Sequence, residues 1–529
     1  MAKILVSDKL APEGIEILKA GGENVVDNKA GLSPEELLDI IENYDALVIR
    51  SASKVTAEVI EKAKNLKVVG RAGVGVDNVD KNVATEKGII VMNTPGGNTI
   101  STAEHAFSML MSLARNIPQA TADMKKGEWP KKKYSGVELN TKVLGIVGLG
   151  RIGTEFAKRA IAFNMKVLAY DPYTSPEMMS KNGIESATLD EIYAKADFIT
   201  VHSPLNDETR YLINENTIEK MKKGVRIINC ARGGIVDEAA LIKAVESGKV
   251  AGAALDVFET EPLPADHPLT KVQNIILTPH LGASTAEAQV NVAIQVAEQI
   301  VDFFKTGTIL NAVNAPSVEP EVLAQIRPYL NLGERIGKFI SQLSTNRIVK
   351  INVKYSGQIL DYPSQPITTA VVKGILETTS NFAVNYVNAM PKAKARGIEI
   401  VEAKSTTLVQ YANLITVEAH YDDGTFNSVS GTLFTPTTPR IVIINDKHFD
   451  VYPAGNMLVI ENKDVPGIIG NVGTILGKHS INIDQMTWGK SQKAGNALTV
   501  LNFDKGLPKD VFDELTKQKN VISVKTIVI

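Results

Sequence analysis

Cysteine is almost absent from this chain of 529 residues, since Cys230 is the only one. A single thiol excludes an internal disulfide and any zinc site built from several cysteines, as expected in a reducing compartment. The seven histidines are scattered along the sequence without the short spacings of zinc ligands. We therefore predict no bound metal.

A strong net charge and long apolar runs are missing as well. The formal net charge of -2 leaves no overall positive field to attract nucleic acid or an anionic membrane, so neither partner is predicted. No apolar run approaches the roughly 20 residues of a membrane span. The start MAKILVSDKL lacks the apolar segment of a signal peptide. We expect a cytoplasmic protein.

The chain is too long for one hydrophobic core, because single cores stop growing near ~250–300 residues. Over the first hundred residues, strand-like runs such as KILVSD and DALVIRS alternate with helical stretches, which predicts a parallel α/β domain. One of those helices is predicted to begin at Ser33, followed by proline. Apolar runs from VLGIVGLGRIG to NIILTPH predict a second doubly wound unit.

Two long helices flank this second unit. The first is predicted from Ser101, where S-T-A-E has the pattern of a capping box, with a kink at Pro118. The second, from Thr285 to Phe304, follows the second unit. We expect it to return to the first domain, which would then be discontinuous in sequence.

Four domains are predicted in all. The last residues follow a β-α-β-β-α-β order, which is typical of a ferredoxin-like module. The preceding region has strand-like runs and no readable motif, and it is taken as an α+β domain. The predicted boundaries are residues 1–98 with 285–315, residues 99–284, residues 316–455 and residues 456–529.

The strongest local motif is GLGRIG, which contains Gly148, Gly150 and Gly153 between a strand and a helix. The glycines permit a tight turn, the approach of a pyrophosphate and close helix–strand packing, so the motif predicts a dinucleotide site in a Rossmann-like unit. Asp171 follows the next strand about ~20 residues later, where an acidic side chain binds ribose hydroxyls. NAD is therefore favoured over NADP.

Three further side chains follow later strands of the same unit. Arg232 in CARGG suits a carboxylate, since its planar guanidinium binds two oxygens at once. Glu261 in ETEP and His280 in TPH form a candidate pair, because a carboxylate bound to an imidazole fixes its tautomer and stabilises its protonated form. Taken together they indicate hydride transfer to or from a 2-hydroxy acid.

The motifs GLGRIG, HSPL, CARGG, ALDVFETEP and TPHLGA resemble the D-isomer-specific 2-hydroxy-acid dehydrogenase family. RAGVGVDNVD and NTPGGNT are similar to its phosphoglycerate-oxidising branch, which implies NAD-dependent oxidation of 3-phospho-D-glycerate, the entry to L-serine biosynthesis. The resemblance implies that Arg232, Glu261 and His280 are catalytic. It also implies cofactor contacts at Gly148, Gly150, Arg151, Ile152, Gly153, Asp171, Ser203, Cys230, Ala231, Arg232, Asp256, His280, Gly282 and Ala283.

A phosphorylated acid needs further cations. Arg50, Arg71 and Lys131 are the candidates outside the cofactor motifs, and the resemblance implies that Lys131 acts in a neighbouring subunit. An arginine is more familiar at the Lys131 position, and lysine lacks its two-pronged geometry. Asn98 resembles a substrate-contacting asparagine of the family.

The final module resembles the ACT domain, a ligand-sensing fold that pairs with a second copy. Its motifs are DVPG and SINI, and the resemblance implies L-serine as an effector bound by Asn462, Asp464 and Asn482. Asn462 stands where a ring-bearing residue is often found, and a purely structural pairing module is the alternative. Either reading predicts a homo-oligomer, a dimer or a homotetramer.

Two other functions stay open at this point. One is reduction of another keto acid, such as hydroxypyruvate or glyoxylate, with the same residues. The other is an NADH-sensing scaffold, which the ACT-like module disfavours. Cys230 has no base nearby in sequence, so we interpret it as a small residue beside the cofactor rather than a nucleophile.

Overall fold

The computed structural model describes residues 1–318, 320–406, 410–490 and 495–529. Four sheets follow one another along this part of the chain, and the first two are wholly parallel. The predicted α/β character of the first two units is thereby confirmed. Among the described residues, no helix has the length and apolar character needed to cross a bilayer.

The first unit is a five-stranded parallel sheet. Its elements are β1 (Lys3–Val6), α1 (Pro12–Ala20), β2 (Val25–Asn28), α2 (Pro34–Ile40), β3 (Ala46–Ile49), α3 (Ala57–Lys62), β4 (Val68–Arg71), α4 (Lys81–Lys87) and β5 (Ile90–Met92). The strand order is β2-β1-β3-β4-β5. Helix α2 begins at the predicted place, because Ser33 and Glu36 exchange the two hydrogen bonds of a capping box.

The second unit is a seven-stranded parallel sheet. It contains α5 (Thr99–Arg115), α6 (Ile117–Lys125), β6 (Val143–Val147), α7 (Arg151–Ala162), β7 (Lys166–Tyr170), α8 (Pro176–Lys181), β8 (Glu185–Ser186), α9 (Leu189–Lys195), β9 (Phe198–Val201), α10 (Glu215–Lys220), β10 (Val225–Asn229), α11 (Glu238–Glu246), β11 (Val250–Leu255) and β12 (Ile275–Leu277). The strand order is β12-β11-β10-β9-β6-β7-β8, with β6 central.

The predicted start and kink of α5 are both wrong. The helix begins before Ser101, whose hydroxyl donates to the carbonyl oxygen of Gly282 at 2.8 Å instead of capping a helix. The break falls at Asn116, which is left-handed with φ 56°. Pro118 lies in the first turn of α6, where a proline costs no helical hydrogen bond.

Helix α12 (Ala286–Thr306) packs on the first unit rather than on the second. A Cβ atom at Gly14 of α1 would come within 2.7 Å of the backbone oxygen of Ala293, so the two helices touch at this glycine. Val292 and Ile300 of α12 share a core with Ile4. The return of the chain closes the first unit after the second is complete.

The third unit combines a mixed sheet with helices. It contains α13 (Pro320–Ser341), β13 (Ile348–Gly357), α14 (Gln365–Thr379), α15 (Ala389–Ala395), β14 (Glu399–Ser405), β15 (Asn413–Tyr421), β16 (Phe426–Thr435), β17 (Thr438–Ile444) and β18 (Lys447–Val451). Only β13 and β14 are parallel in the order β14-β13-β15-β16-β17-β18. Val387, in the loop before α15, inserts into the core of the first unit.

The fourth unit follows the predicted strand and helix order. It contains β19 (Asn456–Lys463), α16 (Ile468–Lys478), β20 (Ile483–Lys490), β21 (Asn496–Phe503), α17 (Lys509–Thr516) and β22 (Val521–Val528). The sheet is antiparallel in the order β20-β21-β19-β22. One face packs on α16 and α17, and the other, with Met457 and Val459, joins the core of the third unit.

The Gly337→Ala variant tests the packing of α13 on α14. An added Cβ atom would meet the carbonyl oxygen of Val371 at 2.2 Å, so we expect a loss of about 1–3 kcal/mol in the free energy of unfolding. Gly477→Ala in α16 is the matched control, since no atom lies within 4 Å of its added Cβ. Urea unfolding measures both, and equal stability of the two variants would contradict the close packing.

Candidate active site

The site lies at one edge of the seven-stranded sheet. All seven strands are parallel, so the loops after their carboxyl ends meet there. These loops carry the glycine motif after β6, Asp171 after β7 and Ser203 after β9. Cys230 to Arg232 follow β10, Asp256 and Glu261 follow β11, and His280 follows β12.

The glycine loop leaves room for an anionic group at the start of α7. Gly148 has φ +92°, which only glycine adopts readily. A Cβ atom at Gly153 would come within 2.2 Å of the carbonyl oxygen of Gly148, whereas a Cβ at Gly150 would meet open space. Arg151 and Ile152 form the first turn of α7, whose free N–H groups suit a phosphate.

Asp171 lies beside this loop. Its carboxylate accepts hydrogen bonds from the backbone N–H of Leu149 at 2.7 Å and of Tyr173 at 2.8 Å. An open depression of about 570 Å³ begins at Asp171 and continues along Thr174. The hydroxyl of Ser203 is buried without a hydrogen-bond partner among the described residues. The carboxylate of Asp171 and the hydroxyl of Ser203 are polar groups of the kind that bind the adenosine half of a dinucleotide.

His280 and Glu261 form the predicted pair. The Nδ1 atom of His280 lies 2.7 Å from Oε2 of Glu261, and the N–H of Phe258 donates to Oε1 at 3.1 Å. Burial opposes the charge of Glu261, but the bond from His280 outweighs it, so the pKa of Glu261 is lowered. With Nδ1 engaged, Nε2 of His280 is the ring atom left for proton transfer.

Asp256 is fully buried beneath this pair. Its Oδ1 accepts from the hydroxyl of Thr278 at 2.6 Å and the N–H of Leu281 at 2.7 Å, and it lies 3.1 Å from Nε2 of His105. Its Oδ2 accepts from the N–H of Gly282 at 2.9 Å. Burial by itself raises the pKa of Asp256, but the bonds from His105, Thr278 and Leu281 outweigh it and lower the pKa.

The loop after β10 is held by Asn229. Its side chain accepts from the N–H of Ala231 at 3.0 Å and donates to the carbonyl oxygen of Arg232 at 2.8 Å. The guanidinium of Arg232 reaches across the cleft, where Nε lies 3.0 Å from a carboxylate oxygen of Asp77 in the first unit. The two units are therefore joined by an ion pair at the site.

Arg50 and Arg71 lie on the opposite wall of the cleft, in the first unit. Arg71 donates to the carbonyl oxygens of Arg50 and Gly75. Burial, followed by the nearby charges of Arg232 and Arg50, lowers the pKa of Arg71 to about 10. Three guanidinium groups thus share one region, and an anion placed there would relieve their repulsion.

The other two predicted substrate residues, Asn98 and Lys131, differ from each other in burial. Asn98 precedes α5, and its Oδ1 atom is buried without a hydrogen-bond partner among the described residues. Lys131 lies exposed in a 3₁₀ turn, Lys131–Lys133. Among the described residues, the side chain of Lys131 forms no hydrogen bond or ion pair with Asn98 or with the loops of the cleft.

Cys230 is buried, and burial raises the pKa of its thiol well above the ordinary value. Its Sγ lies within 4.8 Å of potential ligand atoms of His105 and Asp256, the one such group among the described residues. The donor set does not fit a metal ion, because a thiolate is disfavoured and both Asp256 oxygens already accept hydrogen bonds. Ala283, also predicted near the cofactor, accepts a bond from Gln289.

The three predicted effector residues are not brought together within one chain. The side chain of Asn462 is 2% exposed, its Oδ1 has no partner among the described residues, and Asp464 pairs with Lys490 at 2.5 Å. Asn482 precedes β20, at the end of the sheet where Ile483 pairs with Phe503. The register puts the two ends roughly 20 Å apart at ~3.3 Å per residue.

Sequence reasoning missed three residues of the site: Asp77, His105 and Asn229. Asp77 is part of the RAGVGVDNVD motif and Asn229 precedes the CARGG motif, so their positions were visible but their partners were not. His105 occupies a helix and lies 151 residues from Asp256 in sequence, and no local pattern signals that contact.

Comparison with known proteins identifies relatives. The model of the D-isomer specific 2-hydroxyacid dehydrogenase NAD binding domain matches residues 107–282, and that of the D-3-phosphoglycerate dehydrogenase intervening domain matches residues 325–445. The D-3-phosphoglycerate dehydrogenases of Bacillus subtilis and Synechocystis sp. are 46% and 45% identical over 528 residues, covering 100% of this chain and 99% and 95% of theirs. The D-lactate dehydrogenase of Aquifex aeolicus, solved with NAD and lactic acid, is 29% identical with a TM-score of 0.52, covering 60% of this chain and 100% of that one.

The Asp256→Asn variant tests the buried charge. A pKa lowered by folding means that the ionised form stabilises the fold at neutral pH and that this contribution is lost as pH falls through the lowered value. At pH 7 we expect Asp256→Asn to lower the free energy of unfolding by about 1.5–3 kcal/mol relative to the parent. Below about pH 4 this difference between variant and parent should become smaller. Urea unfolding at both pH values measures it, with exposed Asp190→Asn as the control; a pH-independent loss would contradict the assignment.

Proposed function

The chain belongs to the D-3-phosphoglycerate dehydrogenase family, and on that basis we propose that Arg232, Glu261 and His280 carry out its reaction. The reaction is the NAD-dependent oxidation of 3-phospho-D-glycerate to 3-phosphohydroxypyruvate, the first step of the phosphorylated route to L-serine. The observation that supports the proposal is the 2.7 Å His280–Glu261 pair beside Arg232, on loops that follow adjacent strands.

Each of the three residues has a separate task. Oxidation removes a hydride from C2 of the acid and a proton from its hydroxyl group, and bound NAD supplies the hydride acceptor. His280 takes the proton at Nε2, since Nδ1 is bound to Glu261. The Glu261 carboxylate stabilises the imidazolium that results. Arg232 binds the substrate carboxylate with the N–H groups that Ala231 and Asp77 leave free.

The phosphate is assigned to the first unit. Arg50 and Arg71 offer cations on the wall opposite Arg232, so a three-carbon acid with a charge at each end spans the cleft. Asn98 adds an unpaired amide oxygen that accepts from a substrate hydroxyl. Lys131 contributes from a neighbouring subunit. The alternative, another D-2-hydroxy acid without phosphate, makes no use of Arg50 and Arg71.

The positions of the effector residues support an assembly of several chains. Asp464 and Asn482 lie at opposite ends of the same sheet, which supports a site for L-serine shared between ACT-like modules of two chains. We accordingly propose a homo-oligomer, a homotetramer, in the cytoplasm. The domain boundaries given from the sequence are kept as part of this proposal.

His280→Ala is expected to lower kcat for NADH formation from 3-phospho-D-glycerate by at least about 100-fold, because the hydroxyl proton loses its acceptor. The control is His420→Ala, which removes an imidazole paired with Glu418 at 3.4 Å in the third unit. NADH absorbance measures both variants. An active His280→Ala enzyme would defeat the assignment.

Arg50→Gln distinguishes the phosphorylated substrate from the alternative. Loss of a charged hydrogen bond of about 1.5–3 kcal/mol should raise KM for 3-phospho-D-glycerate by about 10-fold to 100-fold and hardly change KM for D-glycerate. Lys54→Gln, an exposed cation four residues along, should leave both KM values unchanged. Equal effects of Arg50→Gln on the two acids would favour the unphosphorylated substrate.

A further inference from the structure

A nearly buried imidazole lies below the loop His280–Gly282, called here the catalytic loop, and takes no part in the proposed chemistry. The side chain of His105, on α5, is 19% exposed. Its Nε2 atom lies 3.1 Å from Oδ1 of Asp256 and 3.3 Å from the hydroxyl of Thr278. The hydroxyl of Thr278 donates its own hydrogen to Asp256, so its oxygen accepts from His105; Nε2 of His105 therefore carries the hydrogen and faces both Thr278 and Asp256.

Asp256 in turn binds the backbone of the catalytic loop. Its two oxygens accept the N–H groups of Leu281 and Gly282 at 2.7 and 2.9 Å. These are the two residues that directly follow His280. The orientation of one carboxylate therefore determines where the backbone after the proton acceptor lies.

Helix α5 also forms hydrogen bonds directly to this loop. The hydroxyls of Ser101 and Thr102 donate to the carbonyl oxygen of Gly282 at 2.8 and 3.2 Å. The helix thus fixes both the acceptor and the donor side of the same peptide segment. Ser101 and Thr102 bind the backbone of the loop itself. His105 instead contacts the charged carboxylate of Asp256, which binds that backbone.

The loop needs such support, because His280 has a left-handed backbone with φ 54°. That conformation is costly for a residue other than glycine and persists only where the surroundings hold it. With this backbone conformation, Nδ1 of His280 lies 2.7 Å from Glu261. A small shift of the loop would turn the imidazole away from both its partner and the substrate.

We propose that His105 is a positioning residue for the reaction: its Nε2–H, placed against Asp256 and Thr278, fixes the Asp256 carboxylate that holds the Leu281–Gly282 backbone, and with it the imidazole of His280, in the reactive arrangement. The inference rests on the proposed function, since it requires His280 to be the proton acceptor. It predicts a defect in the chemical step, with substrate binding preserved.

The test compares three substitutions in the full-length enzyme. His105→Leu removes the donor and keeps an apolar side chain, whereas His105→Gln restores an N–H that reaches Asp256. Glu104→Gln, on the adjacent residue, removes an ion pair with Arg159 at 3.0 Å and serves as the control. Steady-state kinetics gives kcat and both KM values, and thermal unfolding monitors the fold.

We expect His105→Leu to lower kcat by about 10-fold to 100-fold, the scale of a misplaced catalytic group, with both KM values changed less than about threefold. His105→Gln should recover kcat to within about threefold of the parent, and Glu104→Gln should match it. Three results would overturn the proposal: an unchanged kcat in His105→Leu, an equal loss in the Leu and Gln variants, or a rise in KM alone.

Two further variants keep the test decisive. If His105→Leu does not fold, His105→Asn replaces it, since its amide is one carbon shorter and should lower kcat where Gln does not; equal rates of Asn and Gln would count against the proposal. His280→Ala separates the two assignments. If His280→Ala is active, the proposed function fails; if it is inactive while His105→Leu turns over normally, only the role of His105 fails.

Discussion

A buried negative charge organises the active site. The carboxylate of Asp256 has no exposure to solvent, and a buried ion without partners costs several kcal/mol. Its hydrogen-bond donors come from α5, from the end of β12 and from the loop after His280. The fold that satisfies this charge therefore also determines where His280 lies. The position of His280 and the stability of the fold therefore depend on the same hydrogen bonds.

The positive charges of the site lie on both walls of the cleft, whereas the negative charge of Asp256 is buried at one point. Arg71 is largely enclosed by the first unit, and Arg232 from the second unit adds to the repulsion that it experiences. Asp77 offsets part of this repulsion by pairing with Arg232. In the proposed function an anionic substrate offsets more of it, because its carboxylate and phosphate would meet cations on both walls.

The third and fourth units are tied to the catalytic units by packing as well as by the chain. Val387 lies in the core of the first unit, and Asn385 nearby donates to the carbonyl oxygen of Gly88 at 2.7 Å. Met457 and Val459 of the fourth unit belong to the core of the third. At both junctions the described residues therefore contribute side chains to the core of the neighbouring unit.

The sequence by itself determined the local features: the glycine turn at Gly148, the cap at Ser33 and the alternation of strands and helices. These depend on turn chemistry and periodicity over a few residues. The meeting of Glu261 and His280 was also predictable, because carboxyl ends of parallel strands share one edge. Only the tertiary structure decided that Ser101 bonds to Gly282, 181 residues away, and that His105 lies 3.1 Å from Asp256. A buried polar group takes whichever partner the completed fold brings within about 3 Å, and no local pattern encodes that choice.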